Sequence, residues 1–103
     1  MGNPYRGEVE LVLEGRARVM RLTLGALAEL EAELESGSLM ELVQRFESGA
    51  FSARDLLALL WAGLRGGGLD ISVADLAGMD VGGPVVAAQA AGRLLKVTFS
   101  VPE

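Results

Sequence analysis

Residues 56–68 read LLALLWAGLRGGG. An almost wholly apolar run meets one arginine and then three glycines. Half a membrane span, the approach to a phosphate-binding loop, a core helix with its stop, and a docking surface would all look like this. Upstream, Ser52 is followed three residues later by Asp55, the spacing of a helix-capping box. The run falls well short of the ~20 apolar residues that a membrane span needs. A P-loop would place its glycines between a strand and a helix and follow them with Lys-Ser/Thr; here they follow a helix, and Leu69-Asp70 comes next. The stretch is therefore the body and C-terminal stop of a helix over residues 53–65. Leu56, Leu57, Leu59, Leu60, Trp61 and Leu64 make that helix apolar nearly all round. Such a helix is either fully buried or buried on one side and docked on the other. A domain of this size has little room for a helix surrounded on every side.

Working outward, residues 8–22, EVELVLEGRARVMRL, alternate apolar and charged around Glu14-Gly15 and predict a β-hairpin. Two registers fit. A two-residue loop at Glu14-Gly15 sets Leu11 opposite Arg18 and Leu13 opposite Arg16. A three-residue loop, Leu13-Glu14-Gly15, sets Val9 opposite Val19, Leu11 opposite Ala17 and Glu10 opposite Arg18. The second separates apolar from charged residues, so it is the expected register. A lone hairpin is marginal in water and must pack on helices, leaving open edges.

Thr23 caps a helix over residues 24–35, and Ser36-Gly37 ends it. Ser38 with Glu41 starts residues 39–48, and Gly49 stops them. Ser72 with Asp75 starts residues 73–79. Pro84 stands at the first position of an alanine-rich helix over residues 84–99. The expected fold class is α+β: an N-terminal β-hairpin followed by a bundle of four to five helices, in a single domain over residues 1–103.

The chain has neither cysteine nor histidine. Disulfides, thiolate metal sites and thiol catalysis are excluded, as are the commonest general base and zinc ligand. Ser36, Ser38, Ser48, Ser52, Ser72 and Ser100 have no histidine to activate them, and Lys96, the sole lysine, lies in no Ser-x-x-Lys spacing. No enzymatic activity, catalytic residue, cofactor or metal is expected. Net charge is −5, which repels a phosphate backbone, so no nucleic-acid partner is expected. The charge is unevenly spread: residues 1–22 hold four arginines against three glutamates, whereas residues 23–48 hold six glutamates against Arg45. Glu29, Glu31, Glu33 and Glu35 place like charges at i, i+4 and read as a solvated helix face. The other use of that face is contact with a basic partner, such as the arginine-bearing hairpin of a neighbouring copy. The start, MGNPYRGEVE, has no apolar signal core, and Arg6 stands where a myristoylation site wants Ser or Thr. No membrane partner and a cytoplasmic location are expected.

The wording RGEVELVLEGRARVMRLTLGALAELEAELESGSL, then LVQRFESGAFSARDLLALLWAGLRGGG, closely resembles the gene transfer agent family protein. The resemblance covers residues 5–68, and the C-terminal third is similar mainly as an alanine-rich helix. It implies a protein encoded in alphaproteobacterial gene transfer agent clusters, between the major tail protein and the tape measure. Gene transfer agents are phage-like particles that package host DNA. The family is described both as a tail tube protein and as a tail assembly chaperone, which would hold the long, helical, hydrophobic tape measure soluble until the tube polymerises. One hairpin among helices is little strand for a tube, so the chaperone is the leading expectation and a structural tail component the alternative. The implied partners are the tape measure or other tail proteins, with self-association a further expectation and the particle tail a second location. No catalytic residue is carried over. Candidate partner-binding residues are Val9, Leu11, Val19, Phe51, Leu57, Trp61 and Leu64.

Overall fold

Hydroxyl side chains start four of the helices. In a computed structural model, which describes residues 3, 6–34 and 37–99, Thr23 Oγ1 accepts the Ala26 N–H at 3.1 Å and Ser38 Oγ the Glu41 N–H at 3.3 Å. Ser52 Oγ and Ser72 Oγ accept the N–H groups of Asp55 and Asp75, each at 3.0 Å. The elements are β1 (Glu8–Leu13), β2 (Arg16–Arg21), α1 (Leu24–Glu33), α2 (Leu39–Ser48), α3 (Ala53–Gly66), α4 (Val73–Ala77) and α5 (Pro84–Phe99). The fold is α+β, an antiparallel hairpin followed by five helices. Boundaries shift slightly from the sequence reading. α1 ends at Glu33, with Leu34 closing back on the Glu31 carbonyl at 3.3 Å; Glu35 and Ser36 lie outside the described residues. α4 stops at Ala77 because Gly78 caps it, and α3 runs one residue further, to Gly66.

The hairpin register differs from the expected one. Glu14-Gly15 forms a two-residue loop that sets Leu11 opposite Arg18 and Leu13 opposite Arg16. Both loop residues have positive φ, 52° and 78°, the primed turn whose twist matches the strands. The expected register separates apolar from charged residues on both strands, which gains stability only if helices cover the inner face of both equally. They do not. Val9, Leu11 and Leu13 are buried along β1, but β2 is buried only at Met20, while Arg18 is partly and Arg16 fully exposed. The arginines sit past the edge of the core, so pairing them with leucines costs little. The observed register also keeps Leu13 in the strand, 5% exposed, rather than in the loop. A second tie holds the turn. The Glu14 N–H donates to the Asp80 carbonyl at 2.9 Å, and the Asp80 N–H donates to the Glu14 carboxylate at 2.7 Å.

α3 is the central element and packs against β2, α1, α4 and α5, while α5 also underlies β1. Every residue from Ala58 to Leu64 is buried. The core holds no buried polar or charged residue among those described. Trp61 brings the one indole, and its Nε1–H donates to the Ile71 carbonyl at 2.8 Å, which removes the cost of burying that donor.

Of the three glycines after Arg65, two permit close approach to β2 and the third ends the helix. A Cβ on Gly66 would drive into the Arg21 carbonyl, and one on Gly67 into the Val19 carbonyl. The end of α3 therefore lies flush along the outer edge of β2. Gly68 takes φ +104°. Its N–H bonds to the Arg65 carbonyl, and the Leu69 N–H to the Leu64 carbonyl, each at 3.0 Å, a Schellman stop. Arg65 itself reaches Glu29 of α1 at 3.1 Å and Asp70 at 3.3 Å, and its guanidinium lies 5.5 Å from the centre of the Trp61 ring.

Candidate docking groove

The seven expected contact residues divide into two groups. Val9, Leu11, Trp61 and Leu64 are spent on the domain's own core, at 7%, 2%, 8% and 0% exposure. The physical reason is that, among the described residues, one hairpin and five helices supply a single core, and the leucine-dense α3 is buried in it from Ala58 to Leu64. Val19, Phe51 and Leu57 are partly exposed; Phe51 and Leu57 line adjoining hollows that share Ala53, Leu56 and Pro84, and Val19 lines neither. Val19 is on the outer hairpin face. Leu57 lines a hollow of about 380 Å³ where α3, α4 and the start of α5 meet. Phe51 borders a groove that sequence reasoning did not find.

That groove runs along α5. Its C-terminal half, about 550 Å³, lies between Val43 and Phe46 of α2 and Gly92, Leu95 and Phe99 of α5. Its N-terminal half, about 510 Å³, is bounded by Phe51 and Leu56 on one side and Val85 and Ala88 of α5 on the other. The two halves have no lining residue in common; between them stand Phe46 and Phe51, whose rings stack at 4.3 Å and 4°. On α5 the groove residues Val85, Ala88, Gly92, Leu95 and Phe99 recur at steps of three and four, the seam of a helix that packs against another helix. The small residues sit in the middle. A Cβ on Gly92 would meet nothing within 4 Å. The ends carry exposed bulk, with Val85 69% and Phe99 43% exposed. This seam is the signal the sequence did offer, inside a helix read only as alanine-rich. α5 has a second apolar stripe, Ala87, Ala90, Ala91 and Leu94, buried against the core, and Leu95 of the seam is itself buried, at 6% exposure.

The bank formed by α2 and the start of α3 is held by one ion pair. Arg45 Nε donates to Asp55 Oδ2 at 2.8 Å and its Nη2 to Oδ1 at 3.0 Å. Asp55 Oδ2 also accepts the Ser52 N–H at 3.0 Å, completing the capping box. Burial pushes the Asp55 pKa up, but the Arg45 hydrogen bonds and those from Ser52 outweigh it and leave the carboxyl below its ordinary value. The same contact with Asp55 raises the Arg45 pKa. A carboxyl whose folded pKa is depressed stabilises fully above its unfolded value, about 3.9, and loses that contribution as pH falls through the folded pKa. Urea midpoints measured from pH 6 to pH 3 should therefore fall more steeply below pH 4 for the wild type than for Asp55→Asn. Parallel acid limbs would remove Asp55 from the account.

The groove's polar lining is Glu47 on the α2 bank and Lys96 and Gln89 on α5; the rest is apolar. No ion pair joins Glu47 and Lys96. Among the described residues no group of acidic side chains is arranged to hold a metal ion, and no helix is long and apolar enough to cross a membrane. Fold and site together define a small α+β domain that carries an apolar, helix-lined groove on its helical side. A family model described as phage tail tube protein, GTA-gp10, matches residues 6–101. The chain belongs to that family and is a protein of phage-like tails. No curated protein and no solved structure matches it.

Proposed function

We propose that this chain is a non-enzymatic tail assembly chaperone of a gene transfer agent, which binds the tape measure protein before the tube polymerises around it. The observation that carries the reading is the open groove along α5. It is bordered by helices, apolar, and seamed at the spacing of helix-on-helix packing, which suits an amphipathic helix laid into a groove. A tape measure is a long, apolar, helical chain, and a soluble acidic domain that covers such a seam keeps it from aggregating. Co-expression should convert the tape measure from aggregate to a soluble complex. A tape measure that aggregates equally with and without this chain contradicts the reading.

A second reading, a structural subunit of the tail tube, is favoured by the family's own description. Against it stands the small sheet: the described residues form two strands, and a tube wall built from closed sheets needs many more. Proteomics of purified particles separates the two. A chaperone is absent or present in traces, and a tube subunit is abundant.

A further inference from the structure

The charges on the groove's rims say more about its occupant than the apolar floor does. We infer that the groove takes an amphipathic helix with flanks of opposite charge, a cationic flank against the α2 bank and an anionic flank against the α5 bank. This rests on the helix-docking reading above and adds the charge of the bound helix's two flanks.

Glu47 is exposed on the α2 bank, where the neighbouring Gln44 adds no charge. Lys96 is exposed on the α5 bank, and Arg93, three residues earlier, is exposed beside it on the same helix surface. Neither Lys96 nor Arg93 has a carboxylate partner within ion-pair distance among the described residues, and neither does Glu47. By contrast Arg45, Arg65, Asp55 and Glu29, which hold helices together, are all paired. Glu47 and Lys96 stand unpaired among the described residues on opposite sides of the groove's C-terminal half. From Val85 to Phe99 the seam spans about 21 Å, or four helical turns at 1.5 Å per residue. A helix lying there presents its apolar stripe to the floor and one flank to each bank. Charge on the two rims therefore selects the charge of those flanks, as e and g charges do in coiled coils.

Three 18-residue helical peptides test this, all with leucine along one stripe. One carries lysine on one flank and glutamate on the other, one carries lysine on both flanks, and one carries glutamate on both. Binding is measured at about 0.15 M salt, where only close charges act. Because the chain is net negative, lysine gains everywhere. The decisive quantity is how the ratio of affinities for the mixed and all-lysine peptides changes with the rim. Replacing Lys96 and Arg93 together (Lys96→Glu, Arg93→Glu) makes both banks acidic. That ratio should fall by about five- to tenfold, the size expected for a few exposed charge contacts. Gly92→Leu, which fills the furrow, should abolish binding of all three. An unchanged ratio overturns the inference, as does binding that survives Gly92→Leu. If no peptide binds while the tape measure still forms its complex, this inference fails and the chaperone reading stands. If the peptides behave as expected and the tape measure forms no complex, the reverse holds.

Discussion

Replacing Gly66 with alanine is expected to destabilise the domain by about 3 kcal/mol, although helix propensity alone favours alanine over glycine by about 1 kcal/mol. The two effects have opposite signs, so the experiment decides between them. Gly66 is the last residue of α3, and a Cβ there would meet the Arg21 carbonyl of β2 well inside contact distance, with the Ala26 Cβ close by at 3.2 Å. The obstacle is backbone on a strand edge, which cannot turn aside as a flexible side chain can. Relief requires α3 to lift from β2, and with it the packing of Met20 against the helix. Overpacking of this kind costs about 1–3 kcal/mol, and more where backbone must move. Gly92→Ala is the matched control. It lies in a helix with open space where its Cβ would go, so propensity acts alone and should raise stability by about 0.5–1 kcal/mol. Urea unfolding followed by circular dichroism reads both. If Gly66→Ala is as stable as wild type or more so, the close approach of α3 to β2 is wrong.

Trp61→Ala is expected to cost about 3–5 kcal/mol, the range for deleting a buried aromatic side chain. That is a large share of the roughly 5–15 kcal/mol by which domains are stable, and should lower the thermal midpoint by tens of degrees, at about 4–8 °C per kcal/mol. The indole is buried at the rim of the core, bonds Ile71 through its N–H, and carries Arg65 over its ring. Trp61→Phe separates the parts. It keeps most of the buried area but leaves the Ile71 carbonyl without its donor, so it should cost about 1–2 kcal/mol. A Trp61→Ala protein that melts with the wild type would return Trp61 to the surface, where the sequence left room for it.

Much of the helical skeleton was legible because it is written locally. Thr23, Ser38, Ser52 and Ser72 each accept an N–H three residues on, and a cap needs nothing beyond its own turn. The hairpin was legible as a hairpin but not in register. Register depends on how far helices reach under β2 and on the tie between Glu14 and Asp80, 66 residues apart, and neither is a property of residues 8–22. The glycine triplet was legible as a stop, since Gly68 and Leu69 make one. The close approach of Gly66 and Gly67 to β2 was not, because it needs the strand's position. The groove was the least legible feature. Dense leucines mark what will be buried, so they drew the expected contact residues toward α3, the helix that ends in the centre. Open apolar surface lies instead over small side chains between neighbouring elements, here Ala88 and Gly92 on α5. Composition ranks those residues low.

The most direct measurement of the functional account is capture of the tape measure by wild type and by Gly92→Leu, compared after the variant's fold is checked. Gly92 lies in the groove, and its open surroundings let a larger side chain enter without disturbing the core. The variant should be at least as stable as wild type and should leave the tape measure in the insoluble fraction. A stable Gly92→Leu protein that still holds the tape measure in a soluble complex would show that docking takes place elsewhere.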